Sequence, residues 1–173
     1  MEIELEKTYL LKEFPKNIKE YKFSEITDIY IPTAEEHPIL RIRKKGDKFE
    51  ITKKHPIKGN DSSEQSEETI ALLKEEFEEF NQLKGKRFRK IRHYCNFDGC
   101  KSMELDVYKD DLDGLVVVDF EFETVEDKDK FQMPDFCLAD VTQEKWFAGG
   151  ILAGKKYSDI EPVLLKYRYK KIE

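Results

Sequence analysis

Charged residues recur at every second position in one segment after another, and this alternation is the feature that most constrains how the chain folds. At the N-terminus, "EIELEK" places Glu2, Glu4 and Glu6 on one side of an extended strand and Ile3 and Leu5 on the other. A period of two is typical of a β-strand with one apolar face. The apolar face packs on a core. The acidic face needs water, a cation or basic groups opposite it, because its like charges repel one another.

The same alternation continues through most of the chain. "PILRIRKKGDKFEITKKHP" predicts a hairpin that turns at Gly46 and Asp47, and "LKEEFEEFNQL" predicts a short helix over residues 74–83. Further strands are expected over "YKFSEITDIYIP", "KRFRKIRHYCNF", "KSMELDVY" and "LVVVDFEFET". A terminal helix is expected over "SDIEPVLLKYRYKK", with Pro162 near its start. We therefore expect one domain over residues 1–173: an α+β protein, mainly β, with eight antiparallel strands in a closed or nearly closed barrel and a few short helices.

The charges are sorted by sign from strand to strand. The basic faces carry Arg41 and Arg43, Lys54, and Lys90 with Arg92, and the acidic faces carry Glu104 and Asp106, and Asp119, Glu121 and Glu123. A solvated sheet face, which remains the alternative for any single strand, ordinarily mixes both signs. Sorted faces indicate a sheet that curls until acids and bases face each other across a cavity. Such a cavity suits a polyanion together with Mg²⁺ or Mn²⁺, since carboxylates bind hard cations and basic groups bind phosphate oxygens.

Composition excludes some classes of function. The net charge is −6, from 31 basic and 37 acidic residues, which argues against a nucleic-acid binder with a general basic surface. No apolar run approaches the length of a membrane span, and the N-terminus lacks the apolar region of a signal peptide. We therefore expect a cytoplasmic protein with neither a membrane nor a nucleic acid as partner. The three cysteines are expected to be reduced and structural.

Taken in order, these segments resemble the CYTH superfamily, the triphosphate tunnel metalloenzymes. That superfamily includes inorganic triphosphatases, thiamine triphosphatases and class IV adenylyl cyclases. The resemblance rests on "ELEKTYLL", "RIRKKGD", "ITKK", "LLKEEFEEFNQLKGKRFRKIRHY", "ELDVYKDDLDGLVVVDFEFET" and "DVTQEKWFAGGILA", which cover almost the whole chain. It implies an eight-stranded antiparallel tunnel that binds a triphosphate-containing small molecule with Mg²⁺ or Mn²⁺.

The resemblance also implies roles for individual residues. The metal ligands would be Glu4, Glu6, Asp119 and Glu121, with Glu123 as an additional candidate, and Glu4, Glu6 or Glu121 would orient the attacking water. The phosphates would be bound by Arg41, Arg43, Lys54, Lys90 and Arg92, with Lys156 in place of a late basic residue of the family. Glu104 and Asp106 are expected to pair with the basic residues and orient them.

The chain departs from the family pattern at two places. Thr8 occupies the position of the first-motif lysine, and Trp146 and Phe147 stand where the family has a basic residue and a tyrosine. The acidic sets at both ends of the chain favour a metal-dependent triphosphate hydrolase, which is the main hypothesis, whereas Thr8 favours a module that binds without turnover. The alternatives are a non-catalytic polyphosphate or nucleotide-binding module and a class IV-type adenylyl cyclase. The oligomeric state stays open, a homodimer included.

Overall fold

Within residues 2–172, nine antiparallel strands form one sheet that closes on itself. The computed structural model describes residues 2–172, without the side chain of Glu2. The strands are β1 (Glu2–Leu11), β2 (Lys22–Ile31), β3 (Leu40–Lys45), β4 (Lys48–Pro56), β5 (Glu64–Leu72), β6 (Lys86–Cys95), β7 (Ser102–Tyr108), β8 (Val116–Phe122) and β9 (Cys137–Asp140). The helices are α1 (Lys74–Asn81), α2 (Val125–Lys130), α3 (Gly149–Leu152) and α4 (Tyr157–Lys166).

Eight of the strands form a closed ring in the order β1-β5-β4-β3-β2-β6-β7-β8. The ring closes at β1, which pairs with β5 over Glu2–Leu5 and with β8 over Leu5–Leu10. This confirms the predicted eight-stranded antiparallel barrel. The additional strand β9 pairs with the last residues of β1, Tyr9–Leu11. It was not predicted, because its four residues are too few to show a periodicity.

The predicted local elements agree with the structure in most places. The hairpin between β3 and β4 turns at Gly46, whose φ of 57° lies in the left-handed region that glycine adopts readily. Helix α1 follows β5 as expected and packs Phe77 against Phe49 on the outside of the barrel, with ring centroids 4.9 Å apart. The placement of Pro162 was wrong. It is the sixth of ten residues of α4, because the helix already begins at Tyr157.

One end of the barrel is filled by apolar side chains. The inward-facing residues Leu10, Tyr30, Phe88, Tyr108 and Val117 pack there against the C-terminal segment, which contributes Phe147, Leu152, Ile160 and Leu164. Helix α3 approaches the barrel closely, since a Cβ atom on Gly149 would collide with the hydroxyl oxygen of Tyr30. Within residues 2–172, no helix is both long enough and apolar enough to cross a membrane.

The two faces of β1 differ as the alternation predicts. Leu5 and Tyr9 are buried in a second apolar cluster outside the barrel, together with Phe120 and Phe122 of β8. Ile3, near the start of the strand, is 59% exposed. The opposite face of β1 points into the barrel, where its charged residues meet those of the other strands.

Candidate functional site

Strand register brings the predicted acidic residues together on one wall of the barrel interior. Glu6 lies directly opposite Glu121 across the β1–β8 ladder. Asp119 lies opposite Thr8 on one side and opposite Glu104 on the other. Facing residues on neighbouring antiparallel strands have Cβ atoms about 5 Å apart, so these carboxylates are close neighbours.

Lys54 lies between two of the predicted metal ligands. Its ammonium nitrogen is 2.5 Å from Glu4 Oε2 and 2.8 Å from Glu6 Oε1. Gln65 Nε2 also donates to Glu6 Oε1, at 3.0 Å. Burial acts to raise the pKa of Glu4, but Lys54 outweighs burial and the pKa is lowered. The two glutamates already hold one cation, the ammonium group of Lys54.

The basic residues of β6 are held by the acids of β7. Asp106 accepts hydrogen bonds from Lys90 and, through both of its oxygens, from Arg92 at 2.7 Å each. Arg92 also donates to Glu104. Asp106 is 1% exposed, and its pKa is lowered because the two cations outweigh burial. This confirms that Glu104 and Asp106 pair with the basic residues.

Arg43 has a partner that the sequence reasoning missed. Asp28, on the neighbouring strand β2, accepts two hydrogen bonds of 2.7 Å from the Arg43 guanidinium, and both residues are buried. Burial acts to raise the pKa of Asp28, but Arg43 lowers it to about 2. One signal could have revealed Asp28: it shares the inward face of β2 with Ile26 and Tyr30, and a carboxylate in that position needs a cation.

Among the predicted phosphate ligands inside the barrel, Arg41 has the weakest pairing with a carboxylate. Its nearest carboxylate is that of Glu67, with Nη2 and Oε2 3.9 Å apart. Its buried Nε atom has no hydrogen-bond partner within residues 2–172. A buried guanidinium donor without a partner indicates a position at which an anion would be bound.

Around Asp119 and Glu121 the acidic wall is short of positive charge, since the one cation within 4 Å of either carboxylate in residues 2–172 is Arg92, whose Nη2 lies 3.7 Å from Asp119 Oδ2. Burial, together with the nearby carboxylates of Glu6 and Asp106, raises the pKa of Asp119 to about 7. Burial and Glu104 raise the pKa of Glu121. Thr8 Oγ1 donates to Asp119 at 2.7 Å, and Ser102 Oγ donates to Glu121 at 3.0 Å, but neither hydroxyl carries a charge. A bound cation would lower the cost of keeping both acids ionised.

Two predicted site residues lie apart from this group. Glu123 follows the end of β8 at Phe122, and its side chain is exposed. Lys156 is the exposed residue immediately before α4, and its backbone N–H donates to Asp159 at 2.8 Å. Their roles remain predictions, and the interior site is built without them.

The donor set suits a hard divalent cation by its chemistry. Carboxylate oxygens are the ligands that Mg²⁺ and Mn²⁺ prefer, and Glu4 and Glu6 already converge on a single positive charge. No group of three or more Asp, Glu, His or Cys side chains in residues 2–172 is arranged to hold a metal ion. The acids therefore fit a cation, but their present arrangement is an ion-paired one.

The same fold is found in solved structures of other proteins. The crystal structure of the inorganic triphosphatase NE1496 matches with a TM-score of 0.64 and 23% identity, over 90% of this chain and 97% of that one. The chain shares the fold of that protein. A second structure, described as the hypothetical protein NE1496, matches with the same TM-score and 24% identity, over 88% of this chain and 99% of that one.

A more distant structural match is a candidate adenylate cyclase from Bacillus halodurans, with a TM-score of 0.50 and 14% identity over 100% of this chain and 95% of that one. The chain matches no protein-family model and no curated protein. At these identities the comparisons establish the fold, which is the one expected from the sequence resemblance.

Proposed function

We propose that this protein is a CYTH-type triphosphatase that hydrolyses a triphosphate-containing small molecule inside the barrel with the help of Mg²⁺ or Mn²⁺. The observation that supports the proposal is the separation of basic and acidic side chains inside the barrel. Basic side chains project from β3, β4 and β6, and an acidic wall is formed by β1, β7 and β8. The shared fold with the inorganic triphosphatase NE1496 supports the same activity.

The basic residues would bind the phosphate groups. Arg41, Arg43, Lys54, Lys90 and Arg92 all lie on inward faces, and Arg offers planar, bidentate contacts to phosphate oxygens. Arg41 is the group that is ready for an anion, since its Nε lacks a partner among the described residues. Arg43 and Arg92 keep their carboxylate partners, which fix the direction of each guanidinium.

The acidic wall would hold the divalent cation through Glu4 and Glu6, with Asp119 and Glu121 on the neighbouring strand. When bound, the ion would neutralise charge on the phosphate oxygens and activate the reacting groups. The cation requirement follows from electrostatics. A polyanion next to carboxylates whose pKa values are already raised by burial and by neighbouring carboxylates needs additional positive charge.

The remaining residues would organise the attack. Glu4, Glu6 or Glu121 would accept a hydrogen bond from a water molecule and orient it in line with the bond to be broken. The apolar packing of Leu10, Tyr30 and Tyr108 closes one end of the barrel, so that substrate enters from the other end and bulk water is limited. From inorganic tripolyphosphate the products would be orthophosphate and diphosphate.

The test is release of phosphate from tripolyphosphate, ATP and thiamine triphosphate, in Mg²⁺ and in Mn²⁺. We expect metal-dependent release by the wild type and a loss of at least about a hundredfold in Glu4→Gln, because a catalytic electrostatic group is removed. Glu68→Gln is the matched control. Glu68 lies on the exposed outer face of β5, and its replacement leaves the rate unchanged.

Other outcomes would favour other functions. Thermal stabilisation by tripolyphosphate without any phosphate release would indicate the non-catalytic binding module. Release of diphosphate from ATP with formation of a cyclic nucleotide would indicate the adenylyl cyclase. An absence of both binding and turnover would contradict the proposal.

A further inference from the structure

The ion pair of Lys54 with Glu4 and Glu6 differs from what the sequence resemblance implies. By that resemblance Lys54 binds phosphate, whereas in the structure its ammonium group contacts both carboxylates, at 2.5 Å and 2.8 Å. All three side chains are largely buried, with 16–23% of each exposed. The point on which the two acids converge is thus occupied by a side chain of the protein itself.

We infer that Lys54 is an internal counter-ion of the metal site: it occupies the position between Glu4 and Glu6 and excludes a divalent cation until an anion draws its ammonium group away. This inference rests on the proposed function, since it concerns how the proposed metal and phosphate sites are coupled. Its consequence is that the protein alone binds Mn²⁺ weakly, and that binding of an anion strengthens binding of the metal.

The negative charges around Glu4 and Glu6 explain why a cation is needed between these two side chains. Glu4 and Glu6 are two residues apart on one face of β1, and Glu67 of β5 also lies close enough for burial and Glu4 to raise its pKa. Three carboxylates in a partly buried position repel one another strongly. The Lys54 ammonium balances part of this charge, and any other cation must compete with it.

The side chain of Lys54 is suited to such an exchange. An ammonium group on a flexible four-carbon stem can change partners, and its three donors serve phosphate oxygens as well as carboxylates. Lys54 lies on β4, the strand next to β3 with Arg41, whose Nε lacks a partner in the described part of the chain. An anion bound by Arg41 would therefore offer Lys54 a new set of acceptors on the neighbouring strand.

A lysine that only binds phosphate would behave differently. Its removal would weaken binding of the anion and would leave binding of the metal alone unchanged. Under the present inference, removal of Lys54 strengthens metal binding in the absence of any anion. The two alternatives thus predict different results in a measurement that does not involve catalysis.

The experiment measures Mn²⁺ binding by electron paramagnetic resonance of the free ion, in a buffer without phosphate or sulfate. We expect Lys54→Gln to bind Mn²⁺ at least roughly tenfold more tightly than the wild type, because a buried competing cation is lost. Lys54→Arg retains the charge and remains close to the wild type. The matched control is Lys53→Gln, which removes a cation from the exposed outer face of the same strand, and it changes the affinity by less than about threefold.

Unchanged or weaker Mn²⁺ binding by Lys54→Gln would overturn the inference, and so would an equal gain in Lys53→Gln, which would indicate a general charge effect. Circular dichroism establishes whether the variants are folded. If Lys54→Gln does not fold, the inference is tested instead by measuring the Mn²⁺ affinity of the wild type as sulfate is added. Sulfate is expected to strengthen Mn²⁺ binding, and the absence of any such effect would contradict the inference. Phosphate release by the wild type is measured separately, so that failure of the proposed function is distinguishable from failure of this coupling.

Discussion

Replacing Asp28 by Asn should destabilise the barrel strongly, because it removes the counter-ion of a buried guanidinium. Asp28 is fully buried, and the side chain of Arg43 is 7% exposed. In Asp28→Asn the side chain keeps its shape and can still accept a hydrogen bond, but the charge of Arg43 is no longer balanced. Glu50 gives partial compensation only, since its carboxylate lies 3.9 Å from Arg43 Nη1.

The expected loss of stability in Asp28→Asn follows from the burial of the Asp28–Arg43 ion pair and from the groups that remain near Arg43. Removing one partner of a buried ion pair ordinarily costs about 3–5 kcal/mol, and the remaining acceptor of Asn together with Glu50 places this variant at about 3 kcal/mol. For a domain of this size, such a loss lowers the melting temperature by roughly 6–12 °C. We expect the wild-type slope of the unfolding curve to be retained, because the fold itself is unchanged.

The assay is equilibrium unfolding in urea together with calorimetry, and the chain offers a matched control. Asp110 makes the same two-pronged contact with Arg89, through hydrogen bonds of 2.9 Å and 2.8 Å, but both side chains are exposed. The free energy of unfolding should therefore fall much less in Asp110→Asn than in Asp28→Asn, since water can replace the exposed ion pair.

Equal losses of stability in Asp28→Asn and Asp110→Asn would contradict the prediction that burial makes the Asp28 ion pair important. So would a double variant, Asp28→Asn with Arg43→Met, that is much less stable than Asp28→Asn alone. Without the unbalanced guanidinium, the double variant should be at least as stable as the single one.

Two further predictions concern acid unfolding and the unpaired guanidinium. The pKa of Asp28 is lowered from 3.8 to about 2, so the ion pair of Asp28 with Arg43 contributes stability that is present above pH 4 and is lost as the pH falls towards 2. We expect the free energy of unfolding in urea to fall by about 2 kcal/mol between pH 4 and pH 2. A free energy of unfolding that stays constant over this range would contradict the prediction. The lowered pKa of Asp106 adds to this loss in the same direction. Arg41→Gln is expected to retain the wild-type melting temperature to within a few degrees, because Arg41 Nε has no partner in the described residues. The same variant is expected to bind tripolyphosphate about tenfold or more weakly, as measured by isothermal titration calorimetry.

Much of the barrel was predictable because strand periodicity is a local property. Each strand displays its inward and outward faces in its own residues, so the sorted charges of Arg41 with Arg43 and of Lys90 with Arg92 can be read directly from the sequence. The hairpin turn at Gly46 and helix α1 also depend on neighbouring residues only. Strand β9 and helix α3 were missed, because four residues are too few to establish a period.

The pairing inside the barrel could not be predicted in the same way. Lys54 is 48 residues from Glu6, and the distance between their side chains depends on how β5 joins β1 to close the ring. Asp28 lies between Ile26 and Tyr30 on its face of β2, and its role emerges only when β2 is placed beside β3. Alternation reveals which face a residue occupies, but it does not specify which strand lies opposite.

The sequence by itself thus determined the eight strands of the ring, their faces and the sign of the charge on each, because these depend on backbone geometry within a few residues. Only the tertiary structure decided that the ring is closed, that Arg43 is held by Asp28, that Lys54 lies between Glu4 and Glu6, and that the C-terminal helices fill one end of the barrel. These features depend on contacts between distant segments. Their strength comes from burial and low local dielectric, which exist only after the chain has folded.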